Sequence, residues 1–205
     1  MKFLKKIIKT SVDLKGYNSI LIHSLVGCNL RCYKCHNYKE LVEKTPVDYY
    51  TSEDILKKIK KSNNLFDALI ISGGEFLIED LSDIIEFLNK IREIFNGKII
   101  INTNGTYPEK IKKIIELNLV DGFHMDIKFN IWGELDETVD KIIGVKSNNE
   151  LKYKLLMSFN IIKNSNLCNS QFRTVKYPFI NEEYFSSMYT NLKEVKWSIN
   201  PFYEI

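Results

Sequence analysis

The chain has 205 residues, 44% of them hydrophobic and 27% charged, which suffices for one full core, so we expect a single domain over residues 1–205. The formal net charge of +3 is too small to favour nucleic acid, because lysines and glutamates are interleaved along the chain. The sequence shows no apolar run long enough for an export signal or a membrane span. We therefore expect a cytoplasmic protein with neither a nucleic-acid nor a membrane partner.

In chain order, residues 1–18 are predicted to be an extension that precedes the first strand of the fold. Ser19–Val26 is apolar and β-branched, which predicts a buried strand. Directly after it, three of the four cysteines fall within eight residues, Cys28, Cys32 and Cys35, in a C-x3-C-x2-C pattern. A cysteine loop at a strand end is the first candidate site.

The remaining chain alternates between helical and strand patterns. Predicted helices are Thr51–Lys61, Leu81–Phe95, Pro108–Leu117, Asn149–Asn164 and Asn181–Lys193. Predicted strands are Ala68–Ser72, Lys98–Asn102, Gly122–Ile127, Gln171–Tyr177 and Val195–Ile199, with a less regular stretch at Phe129–Gly144. Six strands alternating with helices predict an α/β fold with parallel strands. A complete eight-unit barrel needs about 250 residues, so we expect a partial, TIM-like (β/α)6 barrel that is laterally open.

Three thiolates on one loop are typical of an iron–sulfur cluster. Such clusters normally take four thiolate ligands, so three would leave one iron open to bind a substrate or cofactor. A structural zinc site made from Cys28, Cys32, Cys35 and His36 is the alternative. Adjacent Cys35 and His36 would form a cramped tetrahedron, and there is no second C-x2-C pair.

Other polar groups follow the predicted strands. They are Gly73-Gly74-Glu75 after the second strand, Thr103-Asn104-Gly105 at the end of the third, Asp126-Ile127-Lys128 at the end of the fourth, and Arg173 on the fifth. Each alone is common in turns or solvated pairs. Because chemistry in such barrels gathers at the carboxyl ends of the strands, their shared position predicts one site.

Taken together, these motifs resemble those of the radical S-adenosylmethionine enzymes. Within that superfamily they are most similar to the activating enzymes of glycyl-radical enzymes, especially the activating proteins of anaerobic ribonucleoside-triphosphate reductase. The resemblance covers about residues 7–177 and rests on Ile8–Ser11, Gly27–Cys32, Cys35–Asn37, Ile71–Glu75, Asn102–Thr106, Val120–Gly122, Met125–Lys128 and Phe172–Thr174.

The resemblance implies two cofactors, a [4Fe-4S] cluster on Cys28, Cys32 and Cys35, and S-adenosylmethionine on its open iron. The implied cofactor-binding residues are Tyr33, Lys34, Gly73, Gly74, Glu75, Thr103, Asn104, Asp126, Lys128 and Arg173. Glu75 would accept a hydrogen bond from the methionine ammonium, whereas Lys128 and Arg173 would face its carboxylate. No residue is assigned as a catalytic acid or base, since the chemistry belongs to the cofactors.

The implied function is that of an anaerobic activase, an oxidoreductase. Reductive cleavage of S-adenosylmethionine would form a 5′-deoxyadenosyl radical, which would take a hydrogen atom from a glycine of a partner, expected to be anaerobic ribonucleotide reductase. A flavodoxin or ferredoxin would supply the electron. Alternatives are a radical enzyme acting on a small molecule or peptide, such as a 7-carboxy-7-deazaguanine synthase, and a non-enzymatic zinc-binding module.

Three residues differ from the pattern of that family. Lys34 stands where an aromatic residue is usual, so the adenine contacts would be rearranged. Phe76 replaces a usual proline and would loosen the turn after Glu75, and Asn102 replaces a common aspartate that would serve a cation site. None of the three changes a cysteine.

Overall fold

A computed structural model describes residues 1–43 and 46–204. Within these residues, nine strands form one sheet: β1 Lys2–Leu4, β2 Ile8–Thr10, β3 Ser19–Ser24, β4 Tyr49–Thr51, β5 Ala68–Gly73, β6 Lys98–Thr103, β7 Gly122–Asp126, β8 Gln171–Lys176 and β9 Trp197–Pro201. Six α-helices accompany them in the described ranges: α1 Ser52–Ser62, α2 Leu81–Ile94, α3 Pro108–Glu116, α4 Glu137–Ile143, α5 Asn149–Lys163 and α6 Glu182–Leu192.

The sheet has a parallel centre and is not closed. Its strand order is β4-β1-β3-β5-β6-β7-β8-β9, with β2 also paired to β3, and the six strands from β3 to β9 in this row are mutually parallel. These are the six predicted strands, so the open, partial barrel is confirmed. Since parallel strands share one direction, their carboxyl ends all lie along one edge.

Alternation along the strands separates two faces. Leu69, Ile71, Ile99, Ile101 and Phe123 belong to the main core, which also contains the buried residues of the helices. Their neighbours Ala68, Ile70 and Ile100 point the other way and form a small second cluster with Leu14. This second face, here called the inner face, is apolar near the amino-terminal ends of the strands, and alternation places the polar Ser72 and Asn102 on it nearer their carboxyl ends.

The prediction for residues 1–18 was incomplete. This segment contributes β1 and β2, which pair antiparallel with β3, and β4 pairs with β1. Phe3 of β1 is fully buried, and its ring stacks on Phe87 of α2 at 5.1 Å. Strands of three residues are too short to show a period in the sequence, so their existence depends on the pairing that β3 offers.

The stretch Phe129–Gly144 also contains a helix that its pattern did not predict. Helix α4 begins where the Asp136 side chain accepts a hydrogen bond from the Val139 amide at 2.9 Å. It ends at Gly144, whose φ of 65° lies in the left-handed region. With only seven residues, α4 is too short to display a convincing amphipathic repeat.

The Val120–Gly122 segment of the family pattern lies at the opposite edge of the sheet from the cysteine loop. Asp121 accepts hydrogen bonds from Arg92 at 2.6 Å, Lys98 at 3.0 Å and the Ile99 amide at 2.9 Å. Burial opposes ionisation of Asp121, but these donors outweigh it and hold the pKa of Asp121 below its ordinary value. This residue joins α2, β6 and β7.

We expect Asp121→Asn to lower the free energy of unfolding by about 2 kcal/mol at neutral pH, because three donors lose a charged acceptor. The ionised carboxylate contributes stability above its unfolded pKa, near 4, and loses that contribution as pH falls through the lowered folded pKa. The difference from the parent should therefore shrink in acid. Urea unfolding across pH measures this, with exposed Glu93→Gln as the control. An equal loss for both variants would contradict the assignment.

Candidate active site

The structure gathers the predicted residues along the carboxyl edge of the parallel strands. Gly73, Thr103 and Asp126 are the last residues of β5, β6 and β7, and Arg173 lies on β8 in register with Asp126. The cysteine loop follows β3, the first strand of the parallel row. Twelve of the thirteen predicted positions thus belong to strand ends or to the loops that leave them, and Arg173 lies within β8.

Gly73 and Gly74 let the end of β5 lie directly against the cysteine loop. A Cβ on Gly73, where φ is 135°, would lie 2.3 Å from the carbonyl oxygen of Ser24. A Cβ on Gly74 would lie 1.9 Å from the carbonyl oxygen of Gly27. That same oxygen accepts a hydrogen bond from the Glu75 amide at 2.7 Å. Both glycines are thus required by the packing of the protein itself, and their expected approach to a cofactor stays a prediction.

Glu75 is a buried carboxylate that links β5 to β6. It is 1% exposed and accepts hydrogen bonds from the Thr103 hydroxyl at 2.9 Å, the Asn104 amide at 2.6 Å and the Leu77 amide at 3.2 Å. Burial raises the pKa of Glu75 to about 7 despite these donors. The protein already supplies three donors, so the expected bond to a cofactor ammonium would be a further one.

The turn after Glu75 is well supported, contrary to the loosening expected from Phe76. Phe76 is fully buried in the main core and begins a 3-10 turn, Phe76–Ile78. Lys110 of α3 donates hydrogen bonds to the carbonyl oxygens of Leu77 at 2.9 Å and Glu79 at 2.6 Å. An apolar anchor and a lysine cap hold this turn.

Asn104 connects β6 to the first cysteine. Its side-chain amide nitrogen donates to the side-chain oxygen of Asn29 at 2.8 Å and lies 3.9 Å from the Cys28 sulfur. Its side-chain oxygen accepts from the Thr106 hydroxyl at 2.7 Å, and Asn29 in turn donates to that hydroxyl oxygen at 2.9 Å. This closed network of three polar side chains fixes the loop next to Cys28.

Asp126, Lys128 and Arg173 form a half-buried ion triad. Lys128 lies 3.2 Å from one carboxylate oxygen of Asp126, and Arg173 lies 3.0 Å from the other. Burial opposes the charge on Asp126, but Lys128 and Arg173 outweigh it and lower its pKa. Burial likewise opposes the ammonium of Lys128, yet Asp126 and Cys32 raise its pKa well above the ordinary value. Two cations share one carboxylate here, which leaves net positive charge to face an anionic ligand.

Helix α4 holds the far side of the cysteine loop. The amides of Arg31 and Tyr33 donate to the carbonyl oxygens of Ile143 and Ile142, each at 2.9 Å. Gly144 permits this contact, because a Cβ there would lie 1.8 Å from the carbonyl oxygen of Arg31. The unpredicted helix is thus a main support of the predicted site.

Tyr33 belongs to an aromatic cluster at the ends of β8 and β9. Its ring centroid lies 5.1 Å from that of Phe179, 5.9 Å from that of Phe202 and 6.2 Å from that of Tyr177. The loop that leaves β3 therefore reaches across to the last two strands. Lys34 has a positive φ of 42° and pairs with Glu204. In this arrangement both residues contact protein groups, so their expected role toward adenine stays a prediction.

Cys28, Cys32 and Cys35 are free, half-buried thiols, whereas Cys168 is exposed outside the loop. Burial raises the pKa of Cys28, although the Leu30 amide opposes this, and burial raises the pKa of Cys32 to about 11. Metal ligation would require these thiols to lose their protons. In the part of the chain that is described, no three cysteine, histidine or acidic side chains are arranged to hold a metal ion. Three unpaired thiols on one supported loop nevertheless match the donor chemistry that an iron–sulfur cluster needs.

Below the ion triad, a row of polar side chains crosses the inner face of the sheet. Strand register aligns His23 with Ser72, and Asn102 with His124. Asn102 donates to the Ser72 hydroxyl at 3.2 Å, and His124 is fully buried, with no hydrogen-bond partner for either ring nitrogen among the described residues. Burial lowers the pKa of His124 to about 3, so the ring is neutral. Asn102 thus belongs to a neutral layer beneath the charged one.

Some residues around the site were not assigned roles from the sequence. Asn29 and Thr106 bind Asn104, and Asn37 donates to the carbonyl oxygen of Gly73 at 3.2 Å. All three lie inside segments of the family pattern, so their positions were a usable signal. Tyr177 and Gly144 carry no such signal. Burial raises the pKa of Tyr177 to about 12. The roles of both residues depend on the path of the chain in space.

Comparison with known proteins identifies the family. The chain matches the Radical SAM superfamily over residues 22–190. This chain belongs to the Radical SAM superfamily. It is also 31% identical to MJ1227 of Methanocaldococcus jannaschii, a protein provisionally named as a glycyl-radical enzyme activating enzyme. The match extends over 185 residues, which cover 88% of this chain and 72% of that relative.

Solved radical SAM structures share the fold. The structure of anSMEcpe with bound AdoMet gives a TM-score of 0.64 at 14% identity, covering 87% of this chain and 49% of that one. Coproporphyrinogen III oxidase (HemN) from Escherichia coli gives a TM-score of 0.58 at 13% identity, covering 87% of this chain and 42% of that one. The present chain thus spans less than half the length of each of these structures.

As a radical SAM enzyme, the protein uses a [4Fe-4S] cluster and S-adenosylmethionine. The residues present suit both cofactors. Three free thiols provide soft ligands, and the cationic excess of Lys128 and Arg173 over Asp126 suits a carboxylate.

We expect the carboxyl group of Glu75 to titrate near pH 7, because burial outweighs its three donors. The folded state then binds a proton that the unfolded chain releases between about pH 4.5 and pH 7, so stability from this group falls as pH rises across that interval. Carboxyl ¹³C NMR, with the resonance assigned by its absence in Glu75→Gln, measures the pKa. A titration near the ordinary value of glutamate would contradict this account.

We expect Gly144→Ala to lower the free energy of unfolding and to weaken iron retention by the cysteine loop. The matched control is Gly16→Ala, which also has a positive φ, 89°, but would place its Cβ with nothing within 4 Å. The Gly144 variant should lose about 1–3 kcal/mol beyond the control, because its Cβ displaces the Arg31 carbonyl. Denaturant unfolding and iron content after anaerobic reconstitution report the two effects. Equal losses in both variants would show that α4 does not support the loop.

Proposed function

We propose that this radical SAM enzyme is an activating enzyme that generates a glycyl radical on a larger partner enzyme. Anaerobic ribonucleotide reductase is the partner to test first, and a flavodoxin or ferredoxin is the proposed reductant. The 31% identity to a relative named as such an activating enzyme supports this proposal. The setting would be anaerobic and cytoplasmic; in the described ranges, no helix is both long enough and apolar enough to cross a membrane.

The open edge of the barrel is the observation that favours a protein substrate. β9 ends the sheet, pairs only with β8 among the described strands, and exposes its last four residues, 198–201. The opposite end of the row is formed by β3 with the short strands β1, β2 and β4. Since the sheet does not close on itself, an extended segment of another protein could reach the carboxyl edge from the side.

We assign roles to the site residues on the same basis. Cys28, Cys32 and Cys35 would hold the cluster. Gly73, Gly74 and Glu75 would lie at the methionine amino group, with Thr103 and Asn104 beside them. Lys128 and Arg173, positioned by Asp126, would bind the carboxylate side, while Tyr33 and Lys34 would border the adenine. When bound and reduced by one electron, the cofactors would supply the chemistry that removes a hydrogen atom from the substrate.

Within this arrangement the chain's own residues bind and orient. Asp126 fixes both cationic side chains at hydrogen-bonding distance, which holds them in place before a ligand arrives. Glu75 and Asn104 keep β5, β6 and the cysteine loop at a constant spacing. A zinc-binding module without enzymatic activity is set aside, because the chain belongs to an enzyme superfamily.

The decisive test uses anaerobically reconstituted, reduced enzyme with S-adenosylmethionine and purified anaerobic ribonucleotide reductase. We expect an electron paramagnetic resonance doublet on the reductase, altered when its glycines carry ¹³C, and absent with Cys32→Ala enzyme. Exposed Cys168→Ala serves as the matched control and should retain the signal.

Two outcomes would contradict the proposal. One is cleavage of S-adenosylmethionine with no radical on any candidate glycyl-radical enzyme. The other is turnover of a free small molecule or peptide, such as the precursor of 7-carboxy-7-deazaguanine. Either result would assign this chain to another branch of the superfamily.

A further inference from the structure

A groove between α1 and the strand pair β2–β3 contains none of the candidate active-site residues. It has a volume of about 440 Å³, is bounded by residues of the segments 7–11, 18–22, 55–62 and 65–66, and is here called the α1 groove. Asn18 and Ser19 border it where β3 begins, and Ser62 borders it where α1 ends. The α1 groove therefore lies toward the amino-terminal edge of the parallel strands, opposite the edge that carries the cysteine loop.

The inner walls of the α1 groove are apolar. Ile20 and Ile22 of β3 and Ile55 and Ile59 of α1 line it, and half of its fourteen described lining residues are aliphatic or aromatic. Leu65, also in the lining, is 75% exposed, so a large apolar side chain faces solvent at the groove. Cavities of this volume with apolar walls and a few polar groups are typical of small-molecule sites.

The charged side chains of the α1 groove are cationic. Lys9 of β2 and Lys58 of α1 line it, and none of the described lining residues is acidic. Neither lysine forms an ion pair with any described residue. The Lys58 ammonium lies 4.3 Å from the ring centroid of Tyr50, which restricts its position. Two cations from two different elements thus share one apolar groove.

Acidic residues next to the lining bind protein donors. Asp13 accepts a hydrogen bond from the Thr10 hydroxyl at 2.6 Å, and Asp67 accepts one from the Asn18 amide at 3.1 Å. Residues 1–10 contain four lysines and no acid, so the charge around β2 is positive. The charge of the α1 groove therefore complements an anionic head group, and its walls complement a hydrocarbon chain.

We propose that the α1 groove binds a linear carboxylate of medium chain length, with its hydrocarbon chain over Ile20 and Ile59 and its carboxylate at Lys9 and Lys58. Binding is non-covalent, and no bond is made or broken. β2 has three residues and pairs only with β3 among the described strands, so a ligand that also contacts α1 gives this short strand a second attachment. Because the ligand binds the folded chain, it stabilises that state by mass action.

The test titrates the full chain with hexanoate, octanoate and decanoate by isothermal titration calorimetry, below the concentrations at which micelles form. Decyltrimethylammonium, which has the chain of decanol and a positive head group, is the probe of opposite charge. The variants are Lys9→Gln, Lys58→Gln and the double variant Lys9→Glu/Lys58→Glu. The matched control is Lys60→Glu/Lys61→Glu, with the same change in charge at two exposed residues of the last turn of α1 that lie outside the groove lining.

We expect one decanoate to bind for each chain, and each methylene added from hexanoate to decanoate to tighten binding about two- to fourfold, because hydrocarbon is buried. Lys9→Gln and Lys58→Gln should each weaken decanoate binding about two- to fivefold, as for partly exposed ion pairs. Lys9→Glu/Lys58→Glu should reverse the preference between decanoate and decyltrimethylammonium, whereas the control should keep the preference of the parent. Decanoate should also raise the unfolding temperature of the parent and not that of Lys9→Glu/Lys58→Glu.

Several outcomes would overturn the proposal. They are no binding of decanoate, equal binding of decanoate and decyltrimethylammonium by the parent, and an equal loss of decanoate binding in the Lys60→Glu/Lys61→Glu control. If the parent is a dimer that Lys9→Glu/Lys58→Glu dissociates, a second copy of the chain covers the α1 groove and the assignment to a small carboxylate is wrong.

The α1 groove and the proposed function are tested separately, because the titrations are made with and without the reconstituted cluster. If decanoate binds as expected but no glycyl-radical enzyme is activated, the ligand assignment stands and the activase function falls. If a glycyl radical forms on the partner but decanoate does not bind, the activase function stands and the ligand assignment falls.

Discussion

The close contact between the end of β5 and the cysteine loop is the constraint on which the site depends. Gly73 and Gly74 leave no room for a Cβ against Ser24 and Gly27, and the Glu75 amide bonds to the same loop. Glu75 then turns inward and binds the end of β6. Three adjacent residues thereby set the distance between the sulfur ligands and two strand ends. Larger residues at either glycine would push the loop away from the groups that must act with it.

Charge is arranged in layers above this contact. The neutral row of Ser72, Asn102 and His124 lies beneath the Asp126–Lys128–Arg173 triad. Burial raises the pKa of Cys32 to about 11, and the nearby Lys128 ammonium partly opposes that rise. The cationic excess of the triad suits a small anionic ligand.

Much of this could be predicted from the sequence, for identifiable reasons. The six parallel strands are long and apolar, and the motifs follow their carboxyl ends. The position of each motif after its strand was therefore enough to place the motifs along one edge of the sheet. The supports of the loop could not be found in that way. Helix α4 has seven residues, β1 and β2 have three each, and the contact of Tyr33 with Phe179 joins residues far apart in the chain. Glycine at 73 and 74 was expected to serve a ligand, but it first serves the packing of the backbone.

The most direct test of the account is electron paramagnetic resonance of the anaerobically reconstituted, dithionite-reduced protein, recorded with and without S-adenosylmethionine. A [4Fe-4S] signal that shifts when S-adenosylmethionine is added, and that is lost in each of Cys28→Ala, Cys32→Ala and Cys35→Ala, is the predicted result. It would show that these three thiols hold a cluster with one iron open to the cofactor. A signal that is indifferent to S-adenosylmethionine, or that persists in any of the three variants, would contradict the ligand assignment.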